Sequence, residues 1–174
     1  MTMLTKETIL NNLKLLGAEL KQLGLSGEIL LTGGAAMSLV HSARDMTKDI
    51  DALYEPKTEI NQLAQKIAEQ ENLQADWLND SVKGFLVNNP PIENFLTLEG
   101  LKISVVSPEY LLAMKLMSAR VGETDIGDIK FLFKKLGIDT KEKANTVLTK
   151  FYPPDAILPK TRYVIEECLG RDET

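Results

Sequence analysis

A glycine pair followed by a closely spaced aspartate pair constrains this chain more than any other feature. The apolar run Ile29–Leu31 predicts a strand, and Gly33 and Gly34 follow it directly. Glycine allows the backbone to turn sharply and to approach a ligand closely. The helix predicted after the turn would present free N–H groups to an anion. The pattern therefore predicts a phosphate-binding turn, with Asp49 and Asp51 further along the chain.

The aspartates belong to a second predicted strand, which runs from about residue 49 to residue 54. Residues two apart in a strand point to the same face, so Asp49 and Asp51 should project together while Ile50 and Ala52 face the core. Two adjacent carboxylates repel each other unless a cation lies between them, and Mg²⁺ prefers oxygen ligands of this kind beside substrate phosphates. The spacing predicts that Asp49 and Asp51 bind Mg²⁺.

Polar residues around the turn complete the predicted phosphate seat, which consists of Gly33, Gly34 and Ser38. Arg44 and Lys48 lie in the polar loop before the second strand, where their charges can meet phosphate oxygens. Any tight turn can use two glycines, and a single cation is more often a solvated surface charge. The phosphate interpretation depends on the aspartates that follow.

This arrangement resembles the nucleotidyltransferase superfamily, which has the DNA polymerase beta-like fold. The signature of that superfamily is Gly-Gly or Gly-Ser, a short helix, and a strand with Asp-x-Asp or Asp-x-Glu. The segments TGGAAMSL and TKDIDAL are most similar to small bacterial members related to abortive-infection and toxin–antitoxin proteins. The resemblance covers residues 28–54 and, with fewer matching positions, residues 101–136. It implies Mg²⁺-dependent transfer of NMP from an NTP to a hydroxyl acceptor, either a tRNA end or a protein side chain, and a cognate antitoxin as partner.

The resemblance also implies two site residues in the second half of the chain. In the toxin-type members, a lysine on a helix after the core meets the nucleotide phosphates, and a later acid completes the site. The strings LLAMKLMSAR and VGETDIGDI are similar to these motifs, with Lys115 as the lysine and Asp128, or alternatively Asp125, as the acid. A lysine on an apolar helix often only extends its amine to solvent. If Lys115 is buried, its ammonium needs an anion such as Asp49, Asp51 or Asp128.

One departure from the superfamily pattern concerns a third carboxylate on a later strand, which commonly acts as general base or metal ligand. The corresponding strand, residues 101–106, has Ser104 or Lys102 where an acid is expected, and Glu99 lies at the preceding turn. Either Asp128 substitutes for the acid, or water does its work slowly, or the protein is a degenerate nucleotidyltransferase-fold binding or regulatory module. A haloacid-type phosphatase with Asp49 as nucleophile fits less well, because that family places its acids at the end of an apolar strand.

The remaining periodicity predicts an α+β fold, with a small mixed sheet of the nucleotidyltransferase type flanked by helices and followed by a helical C-terminal half. A hairpin with the turn Glu99-Gly100 is predicted to end at Val106, and Ser107-Pro108 predicts a helix start. The pattern therefore predicts a nucleotidyltransferase-like core over residues 1–106 and a helical half over 107–174. Helices are expected over residues 5–24, 35–41, about 60–68, 109–120, 125–136, 140–150 and 160–169.

Composition excludes several other classes of protein. The net charge of −5 argues against a general nucleic-acid binder, although one local patch could still contact RNA. The single cysteine excludes an internal disulfide and a zinc site built from cysteines. No apolar run has the length of a membrane span or follows a basic start as in a signal peptide. The sequence predicts a cytoplasmic protein that does not bind membranes.

Overall fold

The computed structural model describes residues 3–119 and 125–170 of the chain. Five of its strands form one mixed sheet in the order β5-β4-β2-β7-β6, and β1 pairs with β3 in a separate ribbon. The α+β class is therefore confirmed. In chain order the elements are β1 (Leu4–Thr5), α1 (Lys6–Gln22), β2 (Gly27–Leu31), α2 (Gly33–Ala35), a π-helix (Ala36–Val40), β3 (Met46–Thr47), β4 (Ile50–Glu55), α3 (Lys57–Glu71), β5 (Leu78–Asn79), a 3₁₀-helix (Ser81–Phe85), β6 (Ile92–Leu98), β7 (Leu101–Val106), α4 (Pro108–Ser118), α5 (Asp125–Leu136), α6 (Lys141–Phe151), a 3₁₀-helix (Pro154–Ala156) and α7 (Pro159–Leu169).

The described chain divides into two compact units. Residues 3–86 and 92–106 form the first unit, and residues 87–91 join those after 106 in the second. The sequence had assigned residues 87–91 to the first domain. Two hydrogen bonds account for the difference: Val87 N–H donates to the Tyr110 hydroxyl at 2.7 Å, and Ser107 N–H donates to the Pro91 carbonyl at 2.8 Å.

Strand β2 lies at the centre of the sheet in the first unit. It runs antiparallel to β4, with Glu28 opposite Glu55, and parallel to β7, with Leu30 opposite Ser104. The alternating residues that face α1 and α3 are buried: Gly27, Ile29, Leu31, Ile50, Ala52, Leu101, Ile103 and Val105. A Cβ at Gly27 would lie 2.7 Å from Leu20 of α1, so the glycine allows this helix to pack closely on the sheet. The opposite face of the sheet is partly exposed, and it carries Asp51.

Helix α1 shows how local signals fix element boundaries. Thr5 caps it by accepting a hydrogen bond from Thr8 N–H at 3.2 Å, and its apolar face is buried along Leu13, Leu16 and Leu20. The strand before it was not predicted, because two residues are too few to show a period. That strand pairs Leu4 with Thr47 and so joins the N-terminal segment to the loop before Asp49.

The second unit is helical, from α4 to α7. Ser107 accepts a hydrogen bond from Tyr110 N–H at 3.3 Å, and Pro108 occupies the first turn of α4, as the sequence predicts. Residues 110–116 of α4 are all buried, and the Tyr110 ring lies 5.0 Å from that of Phe151 in α6. Within residues 3–119 and 125–170, no helix is both long and apolar enough to cross a membrane.

Candidate active site

The glycine turn lies directly against the second aspartate. Gly33 has a φ of +55°, a conformation that side chains disfavour, and a Cβ added there would lie 2.8 Å from Asp51 Oδ2. A Cβ at Gly34 would collide with Thr47 Oγ1 and lie 3.4 Å from the Arg44 guanidinium. The structure therefore brings together four residues that the sequence singled out: both glycines, Arg44 and Asp51.

Asp51 is held through both its backbone and its side chain. Its carbonyl accepts hydrogen bonds from the N–H and the hydroxyl of Thr32, each at 3.0 Å, which fixes β4 beside the residue that starts the turn. Its Oδ1 accepts a hydrogen bond from Ser81 Oγ at 3.0 Å. Because β4 begins at Ile50, Asp49 lies immediately before the strand and not within it as predicted.

Asp49 nevertheless lies close enough to Asp51 for the two charges to interact. Its Oδ2 accepts a hydrogen bond from Asn79 Nδ2 at 3.4 Å. Burial raises the pKa of Asp49, and the negative charges of Asp51 and Asp76 raise it further, while Asn79 and Lys48 partly offset them. The contribution of Asp51 and Asp76 shows that negative charge collects around Asp49. A cation bound at this pair would relieve it.

The two remaining residues of the predicted phosphate seat differ in accessibility. Lys48 is exposed, and it is close enough to Asp49 that its charge lowers the pKa of that carboxyl. Ser38 is only 1% exposed, and its hydroxyl has no hydrogen-bond partner among the described residues. Ser38 lies in the π-helix, whose wider turn directs side chains differently from the α-helix expected there. Its hydroxyl is therefore not presented at the surface in this structure.

The sequence analysis missed Asn79 and Ser81, which contact the two aspartates. Asn79 ends β5, which pairs in parallel with β4 so that Asn79 lies opposite Asp51. Ser81 follows two residues later, and its N–H donates to Asn79 Oδ1 at 3.0 Å. The available signal was the polar run of residues 79–81 after the apolar pair Trp77-Leu78. A two-residue strand is too short for this run to be recognised as the end of a strand.

The register of the sheet shows which residue of β7 is level with Asp51. When the pairings of β2 with β4 and with β7 are continued by one residue, Thr32 lies between Asp51 and Val106. Val106, rather than Ser104 or Lys102, is therefore level with Asp51, and it is 0% exposed. Among the described residues, no group of three or more His, Cys, Asp or Glu side chains could hold a metal ion. In that part of the chain, the predicted metal ligands number only two.

Lys115 belongs to a cluster of opposite charges in the second unit. Its side chain, 6% exposed, lies with Nζ 2.7 Å from Asp128 Oδ2 and 3.1 Å from Asp125 Oδ1. Asp128 is 5% exposed, whereas Asp125 is more accessible. Both acids that the sequence analysis considered therefore contact this lysine, and Asp128 is the more buried of the two. Their roles toward a nucleotide stay predictions.

Comparison with known proteins identifies a family that this chain matches. The model of a family described as a nucleotidyltransferase of unknown function (DUF6036) matches residues 10–146. The matched segment contains the glycine turn, Asp49 and Asp51, and the Lys115 cluster. No curated protein and no solved structure matches the chain.

Proposed function

The chain belongs to this nucleotidyltransferase family, and we propose that it transfers NMP from an NTP to a hydroxyl acceptor with Mg²⁺ as its cofactor. Family membership supports nucleotidyl transfer in general. The observation that carries the more specific proposal is the position of the glycine turn, where Gly33 has no room for a Cβ beside the Asp51 carboxylate. A phosphate bound at this turn would lie next to the aspartate pair.

The residues present fit a magnesium ion. Asp49 and Asp51 supply carboxylate oxygens, and Mg²⁺ is commonly held by one or two carboxylates together with substrate phosphates and waters. The pKa of Asp49 is raised first by burial and then by the neighbouring charges of Asp51 and Asp76, and it is this second contribution that a cation would offset. When bound, the ion would neutralise triphosphate charge and lower the pKa of the attacking hydroxyl.

The proposed reaction is a substitution at the α-phosphorus of the NTP. A bond forms between the acceptor oxygen and this phosphorus, the bond to the oxygen that leads to the β-phosphate breaks, and pyrophosphate leaves. The acceptor hydroxyl releases its proton to solvent. The chain would contribute mainly by positioning the reactants, with backbone N–H groups at Gly33-Gly34 and the charges of Arg44 and Lys48 orienting the phosphates.

The acceptor and the biological setting follow from the resemblance to abortive-infection and toxin–antitoxin nucleotidyltransferases. We propose a tRNA end or a protein side chain as acceptor, and a cognate antitoxin protein that silences the activity. These molecules are met in the cytoplasm, which is the location we propose for the protein. In the second half of the chain, Lys115 would meet the nucleotide phosphates, with Asp128 as its acidic partner.

A second candidate function is a catalytically degenerate module that binds nucleotide or a protein partner. One specific observation favours it: the β7 residue level with Asp51 is Val106, and the candidates Ser104 and Lys102 on the same strand are not acids either. A valine can neither bind a metal ion nor accept a proton. The two candidates differ in whether bound nucleotide is converted to product.

The proposal is tested with each of the four NTPs, labelled at the α-phosphate, with and without Mg²⁺. Wild-type protein should gain thermal stability from an NTP only when Mg²⁺ is present, and it should transfer the label with release of pyrophosphate. Asp51→Asn should keep the fold, because Ser81 can still donate to the new carbonyl oxygen. It should lose transfer by more than about a hundredfold.

Asp45→Asn is the matched control, because Asp45 is an exposed aspartate in the loop before Asp49. It should leave both transfer and the Mg²⁺-dependent shift unchanged. Mg²⁺-dependent binding without any product would favour the degenerate module. The absence of a Mg²⁺-dependent shift with all four NTPs would contradict the assignment of the aspartates as metal ligands.

A further inference from the structure

The partly exposed face of the central sheet holds a shallow groove of about 240 Å³. This face is opposite the one covered by α1 and α3. The residues that line the groove include Glu28, Leu30, Leu53, Glu55, Ile92 and Ser104. The proposed function assigns no role to any of them.

The groove lies on the same face of the sheet as Asp51. Because side chains alternate along a strand, Asp51, Leu53 and Glu55 of β4 point the same way. At a rise of roughly 3.3 Å per residue, Leu53 lies about 7 Å and Glu55 about 13 Å along the strand from Asp51. A molecule in the groove would therefore extend from the proposed transfer site toward the other end of the strand.

The far end of the groove carries excess negative charge. Glu28 and Glu55 are directly opposite each other on neighbouring strands, an arrangement that destabilises a sheet. Lys102 Nζ lies 4.0 Å from Glu28 Oε1, and this single positive charge can offset only one of the two glutamate charges. Residues 1–106 contain nine Lys and Arg against fourteen Asp and Glu, so the whole net charge of −5 lies in this part of the chain. Such a surface repels a phosphate backbone and attracts a cation.

The middle of the groove is apolar. Leu30 and Leu53 are cross-strand partners that remain half-buried, and Ile92 of β6 is 57% exposed. Along β4 this face of the sheet therefore offers a carboxylate, an apolar residue and another carboxylate at positions 51, 53 and 55, of which Leu53 and Glu55 line the groove and Asp51 lies beyond it. An extended peptide repeats with the same rise, so its side chains at positions i, i+2 and i+4 match this spacing.

We propose that this groove is the acceptor subsite, and that the acceptor is an extended, basic peptide segment of a protein. A serine or threonine hydroxyl would lie beside Asp51, an apolar side chain two residues away would contact Leu30 and Leu53, and a lysine or arginine four residues away would lie between Glu28 and Glu55. The inference rests on the proposed function. Of its two acceptors, it selects a protein side chain over a tRNA end.

The test uses the full chain and fluorescein-labelled peptides of defined sequence. Gly-Ser-Ala-Leu-Ala-Lys-Gly and its reverse, Gly-Lys-Ala-Leu-Ala-Ser-Gly, cover both directions along the strand. A version with glutamate in place of lysine and an RNA oligonucleotide that ends in CCA serve as comparison ligands. Binding is measured by fluorescence anisotropy at low and moderate salt, and transfer is measured with α-labelled NTP and Mg²⁺.

We expect one basic peptide to bind more tightly than its acidic version and than the RNA, with an affinity that falls as salt rises. Charge reversal by Glu28→Lys with Glu55→Lys should weaken peptide binding by about five- to tenfold and leave NTP binding unchanged. The matched control is Glu69→Lys with Glu71→Lys, at exposed positions of α3. It makes the same change in net charge and should alter peptide binding by less than about twofold.

The outcomes distinguish a failure of the groove as acceptor subsite from a failure of the proposed nucleotidyl transfer. Peptide binding that is sensitive to the Glu28 and Glu55 reversal, in a protein that binds no NTP, would support the groove and refute the proposed function. Mg²⁺-dependent NTP binding without peptide binding would overturn the groove and keep the proposed function. Preferential labelling of the RNA, or equal effects of the two double variants, would also overturn the groove.

Discussion

The two charged clusters of this protein are built on opposite electrostatic principles. Asp49 and Asp51 are like charges, and their side chains accept hydrogen bonds from a neutral amide, that of Asn79, and a neutral hydroxyl, that of Ser81. Lys115 lies between Asp125 and Asp128, two opposite charges on the next helix, and most of this cluster is buried. The first cluster keeps charge that a bound cation can offset. The second already holds a cation of its own, which offsets one of its two negative charges.

Because of this difference, removing one charge should have opposite effects on stability in the two clusters. Neutralising one carboxylate of the Asp49–Asp51 pair removes a repulsion, so the metal-free fold should gain stability while ligand binding is lost. Neutralising Lys115 removes the ammonium beside the buried Asp128 carboxylate, so the free energy of unfolding should fall. Stability measured without ligand is therefore the property that distinguishes the clusters most directly.

The largest expected effect is that of Lys115→Met. Methionine keeps much of the packing of the lysine stem but removes the ammonium that lies 2.7 Å from the buried Asp128 carboxylate, and breaking a buried ion pair in this way costs about 3–5 kcal/mol. The free energy of unfolding, measured by urea denaturation, should fall by that amount. Adding Asp128→Asn to the same chain should recover part of the lost free energy of unfolding, because the buried carboxylate that faced the ammonium is then replaced by a neutral amide.

Lys150→Met is the matched control for this prediction. Lys150 pairs with Glu109 at 2.9 Å, but both side chains are largely exposed. Exposed pairs of this kind contribute up to about 1 kcal/mol. If the two lysine substitutions had equal effects, the contrast between a ligand-dependent cluster and one that holds its own cation would be lost.

A smaller effect is expected for Gly33→Ala in the glycine turn. Alanine is strained at a φ of +55°, and its Cβ would meet Asp51 Oδ2, so the substitution should destabilise the fold by about 2 kcal/mol. The displaced carboxylate should also weaken Mg²⁺-dependent NTP binding. Gly127→Ala in α5 is the control, and it should raise the free energy of unfolding instead of lowering it. A Cβ there meets nothing within 4 Å, and alanine favours the helix by up to about 1 kcal/mol.

The smallest effect concerns Asp49→Asn and its dependence on pH. Because burial and Asp51 raise the pKa of Asp49, ionising this group costs stability in the folded protein. Its stabilising contribution is full below the unfolded pKa and is lost as pH rises through the higher folded pKa. Without metal at pH 7, the free energy of unfolding of the variant should exceed that of wild type by less than about 1 kcal/mol, because solvent screens this partly exposed group.

The measurement is the melting temperature across pH 3 to 8 in chelator-treated protein. The advantage of Asp49→Asn should shrink as pH falls through the folded pKa of Asp49 and disappear at the acid end. Asp45→Asn, at an exposed position of the same loop, should follow the wild-type curve. A variant less stable than wild type at pH 7 would show that the aspartate pair is compensated without metal.

Sequence reasoning succeeded where the signals are local. The helix over residues 125–136 was predicted with its observed bounds, and the helix predicted over residues 140–150 is observed as α6, Lys141–Phe151, capped by Thr140. The hairpin of β6 and β7 turns at Gly100, whose φ is +76°. Caps, glycine turns and helical periods are determined by a few neighbouring residues, so one sequence is enough to recognise them.

The parts that were missed depend on pairing between distant segments. Asn79 reaches the site only because β5, two residues long, pairs with β4. Val106 is level with Asp51 only through the register of β7 on β2, which joins residues more than seventy positions apart. The π-helix that buries Ser38 has no sequence signature comparable to a cap. None of these relations leaves a local pattern that could be read along the chain.

The five residues from Val87 to Pro91 have a consequence for how this protein can be divided. They belong with the helical unit, yet the chain then returns to the sheet for β6 and β7. The polypeptide therefore passes from one unit to the other three times, and no single cleavage separates them. A fragment that ends at Val106 would retain residues 87–91 but lack Tyr110. The hydroxyl of Tyr110 accepts a hydrogen bond from Val87 N–H. Gene fusion, truncation or recombination at the Val106–Ser107 boundary would therefore separate residues 87–91 from the rest of the helical unit.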